Sequence, residues 1–234
     1  MQNGKNMTNK LILLYLFLFF VSCKKNEETK NYKDLNSTEY FSIATNLKNL
    51  KKIEKLKIND SLFKIKGQFS IYEIKGQINK NNKRIGWWEA TDNNTKELVA
   101  KLEYKLIDKK EFVNQYILFE NKKIDTLSSK FYSLKKKVNS VSYRFYIPNQ
   151  LKKIRSEGKL NYRYSFQGKE YRHLESKAVK NKNIFECEIS LPKNIDDNDF
   201  IIQGGFWEMF QLENGGIGAN DIYVLDTIQG NTKK

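Results

Sequence analysis

Few side chains in this sequence are suited to chemistry, and their spacing narrows what that chemistry could be. His173 is the single histidine, so a His-rich metal site is excluded and any Ser-His-acid triad would rest on this residue alone. It lies in Lys169–Glu175, a charged, turn-like stretch that reads as facing solvent. Neither zinc-ligand spacing nor a Gly-x-Ser-x-Gly elbow is present. Gly204-Gly205 and Gly215-Gly216-x-Gly218 are the densest glycines, but they lack the strand-to-helix setting and Gly-Lys ending of a phosphate loop. They read as a bulge in a Phe200–Phe210 strand and as a hairpin loop. Asp196-Asp197-Asn198-Asp199 gathers oxygens without the EF-hand spacing or its glycine, which leaves a solvated turn. Paired carboxylates of the glycosidase kind are defined by separation in space, and no pair is singled out here. No cofactor, metal site or catalytic residue is expected.

Aromatic residues are the stronger lead. Trp87 and Trp88 are neighbours on a predicted strand, so their rings point to opposite faces. One enters a core while the other is left outward; Trp207, within GGFWEMF, poses the same question. An outward tryptophan near tyrosines can stack on a sugar or anchor a protein partner, and the competing reading is packing beneath a neighbouring element. In IFECEISLP, Phe185, Cys187 and Ile189 share one strand face, which makes Cys187 a small core hydrophobe.

The elements that would position these rings are mainly β. After a polar stretch to residue 36, Tyr40, Ile43, Ala44, Leu47, Leu50 and Ile53 recur every three or four residues, predicting an amphipathic helix over 37–58. From Asn59-Asp60 onward the period falls to two. Runs at Leu62–Ile65, Phe69–Ile78, Gly86–Ala90, Leu98–Ile107, Phe112–Phe119 and Ile124–Leu134 predict antiparallel hairpins over 59–135. Lys135-Lys136-Lys137 marks a boundary. Beyond it, Val138–Ile147, Leu160–Phe166, Ile184–Leu191, Phe200–Phe210 and Ile222–Ile228 predict a small β-sandwich over 136–230. Pro148 and Pro192 fall at strand ends, where a missing donor is tolerated.

The N-terminus carries a different signal. Lys5 and Lys10 precede Leu11–Val21, eleven apolar or aromatic residues without a charge. At about 1.5 Å per residue this run spans roughly 16 Å, about half a bilayer's hydrocarbon core, so it has the length of a secretory leader. Phe20-Val21-Ser22-Cys23 resembles the lipobox of a bacterial lipoprotein signal peptide, with Phe in place of the usual Leu. The resemblance implies cleavage after residue 22, acyl chains such as palmitate on Cys23, and a flexible tether over 23–36. Two or more chains make such an anchor stable. Lys24-Lys25-Asn26-Glu27-Glu28 resembles the signals that send lipoproteins of Bacteroidota to the outer membrane and cell surface. Asp60-Ser61-Leu62, Asp125-Thr126-Leu127 and Asp226-Thr227-Ile228 resemble the O-glycosylation triplet of the same bacteria.

Residues 85–98, from Ile85-Gly86-Trp87-Trp88 through Asn93-Asn94 to Leu98, resemble one unit of a MORN-like repeat of the antitoxin type. Tyr116–Asp125 is similar to a second, degenerate unit, and the resemblance covers residues 76–134. Asn93-Asn94 and Asn121-Lys122 stand where the family has Asn-Gly turns. The resemblance implies a ladder of hairpins and contact with protein or lipid rather than catalysis.

Charge points the other way at first sight. The chain has 42 basic and 27 acidic side chains, net +15, the balance of a nucleic-acid binder. Only Arg84, Arg144, Arg155, Arg163 and Arg172 are arginines, however, and the lysines are spread along the whole chain. Specific base and phosphate recognition favours arginine, so the lysines read as a solvated surface and nucleic acid is not expected as partner. The expectation is therefore an envelope lipoprotein anchored by lipid on Cys23, with a non-catalytic binding or adhesion domain for a glycan or protein. The alternatives are an envelope hydrolase using carboxylates and a structural subunit of an envelope complex.

Overall fold

The computed structural model describes residues 38–149, 152–166, 168–192 and 200–228. Cys23, the leader and the tether lie outside the described residues, as do Asp196–Asp199. The chain is mainly β; the described residues form one short α-helix and three antiparallel sheets. Leu35–Lys234 forms one compact unit.

Helix α1 (Thr38–Ala44) leads through a 3₁₀ turn at Leu47–Asn49 into a seven-stranded meander. Its strands are β1 (Lys51–Asn59), β2 (Leu62–Phe69), β3 (Tyr72–Asn79), β4 (Arg84–Asp92), β5 (Leu98–Ile107), β6 (Lys110–Glu120) and β7 (Lys123–Ile124), paired in chain order. One face alternates into a core of Ile74, Ile78, Trp88, Ala90, Leu102 and Tyr104, covered by Phe41 and Ala44 of α1 and by Leu50. Each fully buried large side chain of this kind contributes about 1.5–3 kcal/mol.

Trp88 is wholly enclosed. Its indole lies on Gly76, where an added Cβ would stand 2.0 Å from a ring atom. Its Nε1 donates to the Gln77 carbonyl at 3.2 Å, and Tyr104 meets it edge-on.

The helix expected over 37–58 stops at Ala44, and residues 51–59 form a strand. Beyond Leu50 the apolar stripe runs on only through Ile53 and Leu56, whereas Leu56, Lys57 and Ile58 also fit an alternating pattern. The open edge of β2 supplies ladder partners, Glu54 opposite Lys66 through Lys57 opposite Phe63. Tertiary pairing overrides the weak helical period, and Lys52, with φ 50°, breaks any helix.

Arg84 docks α1 on the sheet. Its guanidinium bonds the Glu111 carboxylate at 2.8 Å, the Ser42 carbonyl at 3.0 Å and Thr45 Oγ1 at 2.9 Å, and lies over the Tyr104 ring. Burial raises the Glu111 carboxyl, but the bonds from Arg84 outweigh this and hold it below its ordinary value.

The second half is a sandwich. One sheet has the order β11-β10-β14-β15, and the other β12-β13-β9-β8. The strands are β8 (Phe131–Lys136), β9 (Ser140–Tyr146), β10 (Lys153–Phe166), β11 (Lys169–Lys177), β12 (Val179–Asn181), β13 (Ile184–Ser190), β14 (Phe200–Leu212) and β15 (Ile217–Ile228). Their inner faces share one core, in which Phe145 stacks on Phe206 at 4.1 Å between ring centres. Cys187 sits in that core as its alternation requires, and burial pushes its thiol up to about 11.

The expected strand Ile124–Leu134 is two strands, because Asp125 begins a turn, its Oδ1 accepting from the N–H groups of Leu127 and Ser128. β7 closes the meander and β8 belongs to the sandwich.

Candidate functional site

The outward face of the sheet β11-β10-β14-β15 carries the most binding chemistry. Strict alternation along β14 sends Phe206 inward and Trp207 outward. On β15 it sends Ile222 and Val224 inward and Tyr223 outward, 39% exposed. Gly205 pairs with Tyr223 on one side and Asn161 on the other. Having no side chain, it lets the Tyr223 ring lie against it, two ring carbons standing 3.8 Å from where its Cβ would be, with Trp207 two residues further along the strand. Asn161, Gly205, Trp207, Asp221 and Tyr223 line a depression of about 360 Å³. Two aromatic rings, one carboxylate and one carboxamide around this glycine are the groups that receive a sugar ring: apolar faces to stack on and polar atoms for hydroxyls.

Tyr223 is fixed from behind. Its ring meets Phe112 of β6 edge-on at 5.2 Å. Its backbone is held by Asn114, a fully buried side chain whose Oδ1 accepts the Tyr223 N–H at 2.7 Å and whose Nδ2 donates to the Tyr223 carbonyl at 2.9 Å. Nδ2 also donates to Glu103 at 2.6 Å. Lys130 Nζ donates to the Asp221 carbonyl at 3.1 Å. Burial drives the Lys130 ammonium down to about 8, with the Asp221 charge opposing that shift. The meander thus covers the open edge of β15 with side chains, satisfying groups that an edge strand leaves unpaired. Lower on the same strand, Asp226 accepts from the hydroxyls of Tyr132 and Tyr143 at 3.0–3.2 Å. Burial raises its carboxyl above the usual range against the pull of those two bonds.

Of the three tryptophans singled out, Trp207 lies on this face and Trp87 on another. Trp87 is 38% exposed on the charged side of the meander, where it shares a depression with Leu56, Lys75, Gln77 and Glu89. Trp88 is not a ligand contact, because it is sealed between Gly76 and Tyr104 in the core. Trp87 and Trp207 lie on different sheets and share no depression. Tyr223 was not anticipated; the alternation IYVLDTI marks it as outward, but only the pairing with Gly205 places it beside Trp207.

Gly204-Gly205 makes no bulge, since the pairing on both sides runs through it without a shift. A Cβ on Gly204 would stand 2.4 Å from the Asn161 carbonyl oxygen, so close approach of β10 requires this glycine. His173 lies on β11 and not in a turn. It is exposed at a register shift, with φ 58°. No group of three or more metal-binding side chains occurs among the described residues, and no described helix is long and apolar enough to cross a membrane. Ser61 and Thr227 of the triplets are exposed. No protein-family model matches the chain, and no curated protein matches it.

Proposed function

We propose that this chain is a cell-envelope lipoprotein, held in the outer membrane by lipid on Cys23, whose β domain binds a glycan without catalysing a reaction. The observation that carries the binding half is the clustering of Trp207 and Tyr223 at Gly205, with Trp207 two residues along β14 and the Tyr223 ring against the glycine from β15, and with Asn161 and Asp221 beside them. The leader carries the anchoring half. Asn161 and Asp221 offer polar atoms to hydroxyls and the outward rings offer an apolar surface, which suits a saccharide whose apolar face stacks on indole. The meander of successive hairpins agrees with the ladder that the MORN-like resemblance implies and serves as the support that fixes Tyr223. A glycan array probed with the protein tests the reading: retention of saccharides by the wild type and its loss in Trp207→Ala supports it, and no retention of any saccharide opposes it.

A further inference from the structure

The inner end of the sandwich holds an ion pair that the outward aromatic face does not use. Along β14 the inward row reads Phe200, Ile202, Gly204, Phe206, Glu208, Phe210, and Glu208 is as buried as its apolar neighbours. Lys153, at the start of β10, is also enclosed, its side chain 8% exposed against 1% for Glu208. Its Nζ donates to both carboxylate oxygens at 2.9 Å and lies 4.3 Å from the centre of the Phe210 ring. Ser156 Oγ donates to Oε1 at 2.6 Å. Asn220, opposite Glu208 on β15, donates from Nδ2 to Oε2 at 2.7 Å. An amine from one strand and a carboxamide from another therefore share one carboxylate oxygen beside the Phe210 ring, with the Lys180 charge near enough to act on both Glu208 and Lys153. Burying two charges is costly unless they are fully compensated. Removing them by reaction relieves that cost.

We propose that Lys153 and Asn220 join in an intramolecular amide cross-link, with Glu208 moving the protons. The ammonium of Lys153 gives one proton to the Glu208 carboxylate, a transfer that cancels both buried charges. The neutral Nζ then attacks Cγ of Asn220, for which the reacting atoms must close to about 3–3.5 Å. The new C–N bond forms with the Nζ lone pair, and the carbonyl π electrons move to oxygen. Collapse of this tetrahedral centre breaks the bond to Nδ2. The departing nitrogen takes up a proton relayed through Glu208 and leaves as ammonia. Of the five hydrogens on the ammonium and the carboxamide, one stays on the new amide, three leave with ammonia and one remains on Glu208. Neither an oxidant nor a cofactor is consumed.

A second grouping of the same residue types supplies an internal control. Lys105, Asn114 and Glu103 also lie together, but the amide oxygen and nitrogen of Asn114 are both taken by the Tyr223 backbone. This asparagine is held as a structural group, and no cross-link is expected there.

The test is peptide mapping of the full chain by mass spectrometry after digestion with two proteases of different specificity. The expected result is a branched peptide joining the segments that contain Lys153 and Asn220, lighter by one ammonia than the two together, and absent from Asn220→Ala and Glu208→Gln. Recovery of both segments only as separate linear peptides in the wild type would overturn the proposal, and that reading does not depend on any variant folding. A branched peptide that persists in Asn220→Ala would overturn the choice of asparagine. One that forms undiminished in Glu208→Gln would overturn the role given to the carboxylate.

Discussion

Asn114 pairs with the backbone of Tyr223 as the next strand of a sheet would, with one bond accepted and one donated. A single side chain from the meander thereby satisfies the open edge of the sandwich and sets the height of a ring on the proposed binding face. Stability and ligand contact are coupled at this point.

Asn114→Ala removes both bonds and leaves two backbone groups of β15 without protein partners. The expected cost is about 2–3 kcal/mol of unfolding free energy, read from urea denaturation. Saccharide binding should weaken in parallel because Tyr223 loses its support. A variant of unchanged stability would show that the edge is held by other means.

Gly76 gives way to the Trp88 indole, and a methyl group there would overlap the ring. Gly76→Ala should destabilise the meander by about 3 kcal/mol, at the upper end for overpacking, and change the near-ultraviolet circular dichroism of the buried tryptophan. An unaltered spectrum would contradict the close packing described.

At Asp108-Lys109 and Asn121-Lys122 both residues of the two-residue loops have positive φ. Lysine pays a steric cost in this region that glycine does not. Lys122→Gly should therefore raise stability by about 0.5–1 kcal/mol, measured by thermal or urea unfolding. A loss of stability would mean that its pairing with Glu97, an exposed ion pair, outweighs the backbone term.

Lys130 gives a pH signature. Burial lowers its ammonium to about 8 in the folded chain, whereas an unfolded lysine titrates at about 10.4. Between these values the unfolded chain binds the extra proton, so stability rises with pH across the window and the penalty is fully present below it. Lys130→Met removes the titration. The stability difference, variant minus wild type, should shrink by about 1.4 kcal/mol per pH unit across that window, and a flat difference would contradict the burial argument.

Much of the fold was legible because alternation is local. The run around Cys187 assigns inner and outer faces directly, alternation separates Trp87 from Trp88 without saying which is buried, and the change of period near Asn59 falls at the turn of the first hairpin. What failed depended on partners distant in the chain. Lys51–Asn59 reads as the end of a helix until the edge of β2 offers it a ladder, and Ile124–Leu134 reads as one strand until the Asp125 turn separates the two sheets. The same limit applied to the sites. Trp207 could be named from its composition and setting, but its neighbours Tyr223 and Asn161 come from other strands. The meeting of Lys153, Glu208 and Asn220 depends on strand order, which no local pattern encodes.

The anchor is tested by labelling cells with radioactive palmitate and shaving them with protease. Label in the wild type and its loss in Cys23→Ala, with the β domain cleaved from intact cells, is the expected outcome. An unlabelled wild type would contradict the lipoprotein reading.

The most direct test of the binding face compares Trp207→Ala with Trp87→Ala in titrations against a saccharide retained by the wild type. Both rings are outward, but they lie on different sheets and only Trp207 stands beside Gly205 and Tyr223. The account predicts that Trp207→Ala weakens binding at least tenfold, an effect of about 1.4 kcal/mol, while Trp87→Ala leaves it unchanged. Equal binding by Trp207→Ala and wild type, or a loss confined to Trp87→Ala, would contradict it.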